Sequence, residues 1–142
     1  FNVNVLGIRR KKEYLLQDLG NLIISYVSQD TSHLSGTLSD YASQCRIDES
    51  LFKAILRKLD FERIQFTKDM AQFSGGQKKK VLIAKSLCEQ AHLYLWDEPL
   101  NFIDIYSRMQ IEQLILDFRP TMIFVEHDRA FRETIATKTL EL

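Results

Sequence analysis

The sequence has little that would mark a membrane-spanning or exported protein, or one with a cluster of histidine and cysteine metal ligands. No apolar run approaches the ~20 residues that cross a bilayer. The apolar start Phe1–Gly7 is short and has neither the charged flank nor the cleavage pattern of a signal peptide. Two lone cysteines, Cys45 and Cys88, lack CxxC spacing, which indicates a reducing, cytoplasmic setting. The histidines are too scattered to predict a metal cluster: His33, His92 and His127.

An excess of charge of either sign is also missing. The 19 acidic and 19 basic residues cancel, whereas a free-standing nucleic-acid or membrane-surface binder usually has a basic excess. This balance leaves room for a local basic patch. The 142 residues, 45% of them hydrophobic, are enough for one compact domain with a core.

Apolar runs rich in β-branched and aromatic residues alternate with stretches of helical spacing. The predicted strands are 21–29, 92–96, 121–126 and 138–142. The predicted helices are 37–47, 48–59 (capped by its first residue, Asp48), 74–90, 106–118 and 128–135. The alternation predicts an α/β domain whose parallel sheet gathers polar groups at the carboxyl ends of its strands. We expect one domain over 1–142, with a helical subdomain of about 37–73 and a core of about 21–36 and 74–142.

The segment Phe73-Ser74-Gly75-Gly76-Gln77 is the first chemical signal. Its serine and glutamine have the spacing of a capping box, which alone is an ordinary helix start. Adjacent glycines weaken a helix by up to ~1 kcal/mol each, so they favour a close approach of some group to the backbone, and bare N–H groups at a helix start bind anions. Three lysines oppose the helix dipole there, although each alone is more simply interpreted as solvated surface: Lys78, Lys79 and Lys80.

Acidic and polar residues directly follow two of the predicted strands. Asp97 and Glu98 come after the apolar run 93–96, which suits Mg²⁺–phosphate chemistry: Asp97 would hold the metal through water, and Glu98 would polarise an attacking water. His127 follows the run 123–125 and can donate to a phosphate oxygen. Taken singly, the acids also suit a charged loop and the histidine a structural role, and Gln29, after the first strand, is a weaker signal still.

In this order the segments resemble the ABC ATPase family over about residues 22–142. Gln29 resembles the Q-loop, Ser74–Gln77 the signature motif, Leu93–Glu98 the Walker B segment and His127 the switch histidine. The resemblance implies a P-loop NTPase-like ABC nucleotide-binding domain that uses ATP and Mg²⁺.

The same resemblance implies a role for each matched residue. It makes Glu98, His127 and Gln29 catalytic and places Asp97 and Gln29 at the metal. The signature residues Ser74, Gly75, Gly76 and Gln77 would cap the ATP held by a second cassette. Asp104 would lie at the seam between the cassettes and couple the two sites.

The segment Pro99–Asp104 indicates the branch of the family. Its Asn101 and Asp104 form an Asn-x-x-Asp pattern that resembles the ABC-F branch, and the signature, Walker B and histidine segments are most similar to the second cassette of Lsa/Vga-type antibiotic-resistance proteins. That resemblance implies a ribosome (rRNA) partner and ribosomal protection. Phe73, where leucine is commoner, and Trp96 depart from the family pattern, but both are apolar replacements.

A phosphate-binding GxxxxGK[ST] loop is absent from the 142 residues. This loop supplies the backbone cradle, the phosphate-binding lysine and a Mg²⁺ ligand. We therefore expect the isolated chain neither to bind ATP tightly nor to hydrolyse it. A chain that begins inside the domain and a natural chain with a part removed remain equal alternatives, and the basic run Arg9–Lys12 is interpreted as solvated surface.

Three other functions remain open. The first is a nucleotide-binding subunit of a membrane transporter, and co-purification with membranes instead of ribosomes would distinguish it. A DNA-repair or chromosome-structure ATPase shares two of the motifs, but such proteins interrupt the cassette with coiled coils, and no sustained heptads occur here. The last alternative is a non-catalytic folding or interaction module.

Overall fold

A computed structural model describes residues 5–9 and 22–141. Residues 1–4 and 10–12, which belong to the apolar start and the basic run discussed above, lie outside this range. The five strands are β1 (Val5–Arg9), β2 (Ile24–Val27), β3 (Leu93–Asp97), β4 (Met122–Val125) and β5 (Lys138–Glu141). The five helices are α1 (Leu38–Gln44), α2 (Glu49–Lys58), α3 (Gly75–Cys88), α4 (Ile105–Phe118) and α5 (Arg129–Ile135), and 3₁₀ turns cover Arg63–Thr67 and Met70–Gln72.

The strands form one sheet in the order β2-β3-β4-β1-β5. Strands β2, β3 and β4 pair in parallel, which confirms the predicted parallel core. Strand β1 is antiparallel to both of its neighbours, with Leu6 opposite Val125 on β4 and Leu140 on β5, so β5 runs parallel to the core strands. The sequence analysis did not predict β1, because a five-residue run with a central glycine has no strand signal of its own.

Each of the five helices begins after a side chain that accepts a hydrogen bond from the first-turn backbone. Such caps satisfy N–H groups that have no partner within the helix, and each is worth about 1 kcal/mol. The predicted caps Asp48 and Ser74 are confirmed, and α3 ends at Cys88, two residues before the predicted end. The capping residues are Thr37, Asp48, Ser74, Asp104 and Asp128.

The core lies on the sheet face that α3 covers. Alternate residues of β2, β3 and β4 are buried there, including Trp96 and Phe124. The indole N–H of Trp96 donates to Ser86 Oγ of α3 at 2.9 Å, which satisfies the one polar atom of this side chain. Residues 37–73 contain α1, α2 and the two 3₁₀ turns, and their apolar side chains join the same buried cluster.

The helices in the described part of the chain are short. The longest, α3 and α4, have 14 residues each, and none of the described helices is long and apolar enough to cross a bilayer.

Candidate functional site

Four of the residues predicted from the sequence lie together at the carboxyl edge of the parallel strands. Gln29, beyond β2, donates from Nε2 to Asp97 Oδ1 at 3.0 Å. Glu98, which follows β3, has its Oε1 2.9 Å from Nε2 of His127, which follows β4. We call these four residues the strand-end cluster. Parallel pairing brings them together because equivalent ends of adjacent strands share one edge.

The backbone at Glu98 adopts a left-handed conformation that directs its side chain. Its φ is +47°, a value that costs energy for a residue other than glycine. Its N–H donates to the carbonyl of Val125 at 2.8 Å, and its Oε2 accepts from Asn101 Nδ2 at 3.1 Å. Contacts from β4 and from the loop after β3 therefore hold this carboxylate in one orientation.

Buried Glu126 organises the two loops that carry the cluster, and the sequence analysis did not identify it. Its carboxylate accepts from the backbone N–H of Leu100 at 3.0 Å and of His127 at 2.8 Å, with a longer contact of 3.3 Å from Asp128. The sequence did contain a signal for this residue, since Glu126 is a charged residue that directly follows an apolar strand. The interpretation of 123–128 considered only the histidine as a functional group.

Lys79 of α3 is buried beside the strand-end cluster. Only 1% of it is exposed, and its Nζ donates to the carbonyl of Ser28 at 2.9 Å. Burial lowers the pKa of Lys79 below its usual value, and nearby carboxylates, that of Asp97 most, oppose this effect. The sequence interpretation of this lysine as solvated surface was wrong, because its position on α3 directs it towards the end of β2.

The signature residues lie elsewhere, around a polar cleft of about 300 Å³. Ser74 and Gln77 form the predicted capping box, with Ser74 N–H donating to Gln77 Oε1 at 2.9 Å and Gln77 N–H to Ser74 Oγ at 3.2 Å. We call this space the signature cleft. It is lined by Asp60, Phe61, Glu62, Gln65, Ser74, Gly76, Gln77, Lys80, Phe102 and Asp104.

A close approach to the glycine backbone does occur, and the approaching group belongs to the same chain. A Cβ on Gly76 would lie 2.5 Å from the carbonyl oxygen of Phe102. A Cβ on Gly75 would lie 3.5 Å from the Phe102 ring, an ordinary contact distance. Phe102 itself has φ +64° and is 82% exposed. The loop after β3 therefore requires glycine at position 76 of the signature.

Asp104 connects this loop to α3. It caps α4 by accepting from Ser107 N–H at 2.9 Å, and its other oxygen is 3.1 Å from Lys80 Nζ. Burial alone would raise the pKa of Asp104, but the bonds from Ser107 and the contact with Lys80 lower it to about 2. Lys80 is therefore a buried ion-pair partner, and its interpretation as solvated surface was also wrong.

The donor atoms of the cluster suit Mg²⁺. Among the described residues, His, Cys, Asp and Glu form no group of three or more that could hold a metal ion. Mg²⁺, however, usually takes one or two protein oxygens and completes its shell with water and phosphate. Asp97 Oδ2 and Gln29 Oε1 are oxygen donors of this kind. Their mutual hydrogen bond uses the other two atoms, Asp97 Oδ1 and Gln29 Nε2.

A family model described as "ABC transporter" matches residues 11–101, more than half of the chain. The chain belongs to the ABC transporter family. The match contains Gln29, the segment Ser74–Gln77 and the segment Leu93–Glu98, whereas Asp104 and His127 lie beyond it.

Two curated relatives are similar to most of this ABC domain. The chain is 31% identical over 106 residues to "ABC transporter F family member 2" of Arabidopsis thaliana, which covers 75% of the chain and 15% of the relative. It is 29% identical over 131 residues to "ATP-binding protein Uup" of Caulobacter vibrioides, with coverages of 86% and 22%. The chain therefore spans less than a quarter of the length of these relatives.

A solved structure supports the fold. The dimeric ATP-binding cassette determined with ADP and Pi aligns with a TM-score of 0.65 at 19% identity, over 89% of this chain and 66% of that one. Together with the family match, this likeness shows that the fold is that of an ABC nucleotide-binding domain, as the sequence predicted.

Proposed function

We propose that the chain is the ATP-hydrolysing part of a cassette within a longer ABC protein. The observation that carries this proposal is the placement of the Glu98–His127 pair beside the Gln29–Asp97 pair at one edge of the sheet. A carboxylate in contact with an imidazole can accept a proton from an attacking water, and neighbouring oxygen donors can hold the metal that accompanies ATP.

The proposed chemistry assigns one task to each side chain. Glu98 orients and polarises the attacking water, and its contacts with His127 and Asn101 limit the directions that its carboxylate can take. With Glu98 ionised, the Nε2–H of His127 donates to its carboxylate. When ATP is bound, the same N–H would turn from Glu98 to a phosphate oxygen. Asp97 and Gln29 would hold Mg²⁺, which when bound supplies positive charge to the phosphate oxygens.

The signature cleft serves a different ATP molecule in this proposal. Ser74, Gly75, Gly76 and Gln77 begin α3 and would cap the terminal phosphate of an ATP that a partner cassette holds. Asp104, on the loop that contacts Gly76, would lie at the seam and respond to both sites. The separation of the signature cleft from the strand-end cluster supports this division into two half-sites.

We further propose that the longer protein is an ABC-F protein of the cytoplasm that acts on the ribosome, with antibiotic resistance by ribosomal protection as its role. The comparisons support this with a relative named as an F family member. The Asn101–Asp104 pattern and the resemblance to Lsa/Vga-type second cassettes rest on the sequence alone. The nucleotide-binding subunit of a membrane transporter is the alternative, since the family match itself carries that description.

The test uses the longer protein with Glu98→Gln. Loss of a general base lowers ATP turnover by about 10²-fold or more, and the variant should remain on ribosomes in a sedimentation assay with ATP. Glu133→Gln is the matched control, because Glu133 is exposed and pairs only with Arg129 on α5 among the described residues. Near wild-type turnover in Glu98→Gln would remove the proposed base. Sedimentation with membranes instead of ribosomes would favour the transporter alternative.

A further inference from the structure

A basic groove lies on the helical segment and shares only Phe61 with the lining of the signature cleft. It is formed between α2 and the 3₁₀ turn Arg63–Thr67 and has a volume of about 410 Å³. Its lining consists of three cationic and two aromatic side chains: Lys53, Arg57, Phe61, Arg63 and Phe66. We call it the basic groove.

The positive charge of the groove is only partly neutralised. Lys53 pairs with Glu49 at 3.0 Å and donates to Ser39 at 3.1 Å. Arg57 and Arg63 are exposed, and neither lies within ion-pair distance of a carboxylate among the described residues. In a chain with no net charge, two such arginines in one cavity form a local site for an anion.

Aromatic rings hold the groove in shape. The Arg57 guanidinium lies over the Phe66 ring, 5.5 Å from its centre, in a cation–π contact. Phe61 is buried and meets Phe66 edge to face at 6.1 Å, and Phe73 at 5.6 Å. Because these rings are already held by contacts with the buried core, they lose little conformational entropy when a ligand binds.

We propose that the basic groove binds single-stranded RNA. Arginine forks match phosphate oxygens, so Arg57 and Arg63 are the phosphate contacts. A base stacks on the outer face of the Arg57 guanidinium, which Phe66 supports from below, a mode common in recognition of unpaired RNA. The volume is that of a small-ligand pocket and accommodates about one or two nucleotides of a single strand, not a duplex. An acidic peptide would satisfy the charges but make no use of the stacked face.

The test measures fluorescence anisotropy of a labelled oligouridine RNA with the 142-residue chain at two salt concentrations. Arg57→Gln and Arg63→Gln should each weaken binding and reduce the slope of log K against log salt by about 0.7, the value for one lost phosphate contact on a single strand. Phe66→Leu removes the aromatic support and should weaken binding by at least about fivefold. Lys58→Gln is the matched control, because Lys58 follows Arg57 on α2, is exposed and does not line the groove.

Several results would overturn RNA binding at this groove. Equal weakening by Lys58→Gln would show a diffuse charge effect, and an equal effect of polyglutamate as competitor would show a general anion surface. Absence of oligouridine binding at low salt would also exclude RNA binding at the basic groove. Circular dichroism of each variant checks that the fold is retained. If Phe66→Leu does not fold, the RNA affinity of Arg63→Gln still tests the proposal, because Arg63 lies on an exposed turn. RNA binding here needs neither ATP nor a partner cassette, so this result is independent of the proposed hydrolysis.

Discussion

At the residue scale, Gly75 and Gly76 are adjacent and yet stand in different surroundings. The backbone carbonyl of Phe102 leaves no room for a side chain at position 76, whereas at position 75 an added Cβ makes an ordinary contact with the Phe102 ring. The anion-binding role proposed for Gly76 thus coincides with a packing requirement of the loop after β3. The two requirements can be separated by substitution.

Gly76→Ala should lower the free energy of unfolding by about 1–3 kcal/mol, because the Phe102 backbone must move. Gly75→Ala is the control and should be neutral or stabilise by up to about 1 kcal/mol, since alanine favours a helix. Urea unfolding of both variants measures the difference. Equal stability of the Gly76→Ala and Gly75→Ala variants would show that the Phe102 loop moves aside without loss of stability.

Lys79 offers a second prediction at this scale. A buried ammonium group that donates to the Ser28 carbonyl reacts slowly with acylating reagents, both because it is covered and because the reagent must displace this hydrogen bond. In limited acetylation followed by mass spectrometry, Lys79 should be modified much more slowly than Lys58 or Lys78. Equal rates would contradict its buried position.

At the scale of elements, the contact between Asp104 and Lys80 joins the start of α4 to α3. The lowering of the Asp104 pKa from 3.8 to about 2 stabilises the folded state above the unfolded pKa, and this contribution is lost as the pH falls from 3.8 towards 2. The full shift corresponds to about 2 kcal/mol. Because half of the Asp104 side chain is exposed, screening reduces this contribution to about 1 kcal/mol.

Asp104→Asn should therefore lower the free energy of unfolding by about 1 kcal/mol at pH 7, and the difference should shrink below pH 4. Asparagine caps helices as well as aspartate does, so the substitution removes the charge and retains the cap. Asp117→Asn, at the other end of α4, is the control. Urea unfolding at several pH values measures the effect, and a loss that does not depend on pH would exclude the ion pair as its cause.

At the scale of the whole molecule, the proposed function gives the chain parts of two ATP half-sites, while the 142 residues contain no GxxxxGK[ST] motif. In the proposed function the strand-end cluster would orient water and metal, and a backbone cradle outside these residues would bind the phosphates. We therefore expect ATP hydrolysis only in a longer protein. The basic groove, by contrast, is complete within the described residues.

The 142-residue chain alone should show no ATP turnover above background, even with Mg²⁺ in excess, because the GxxxxGK[ST] cradle is missing. A sensitive phosphate-release assay measures this, with the longer protein as the positive control. Turnover that Glu98→Gln abolishes would contradict the expectation.

The sequence by itself determined the helices, the core strands and the order of polar residues after them. These features follow from local patterns: Asp48 and Ser74 stand where a helix needs a cap, and the apolar runs of β3 and β4 end abruptly at Asp97 and at Glu126. The grouping of Gln29 with Asp97 also followed, since parallel strands leave their carboxyl ends at one edge.

Only the tertiary structure decided the direction of β1, the burial of Lys79, the function of Glu126 as an anchor for three amides and the assembly of the basic groove. Each of these depends on partners that are distant along the chain. A strand takes its direction from the neighbours whose backbone groups it pairs with, and a lysine is buried or solvated according to what faces it. Local sequence patterns predict neither the strand direction nor the burial of the lysine, because the long-range contacts that stabilise both form only when the chain has folded.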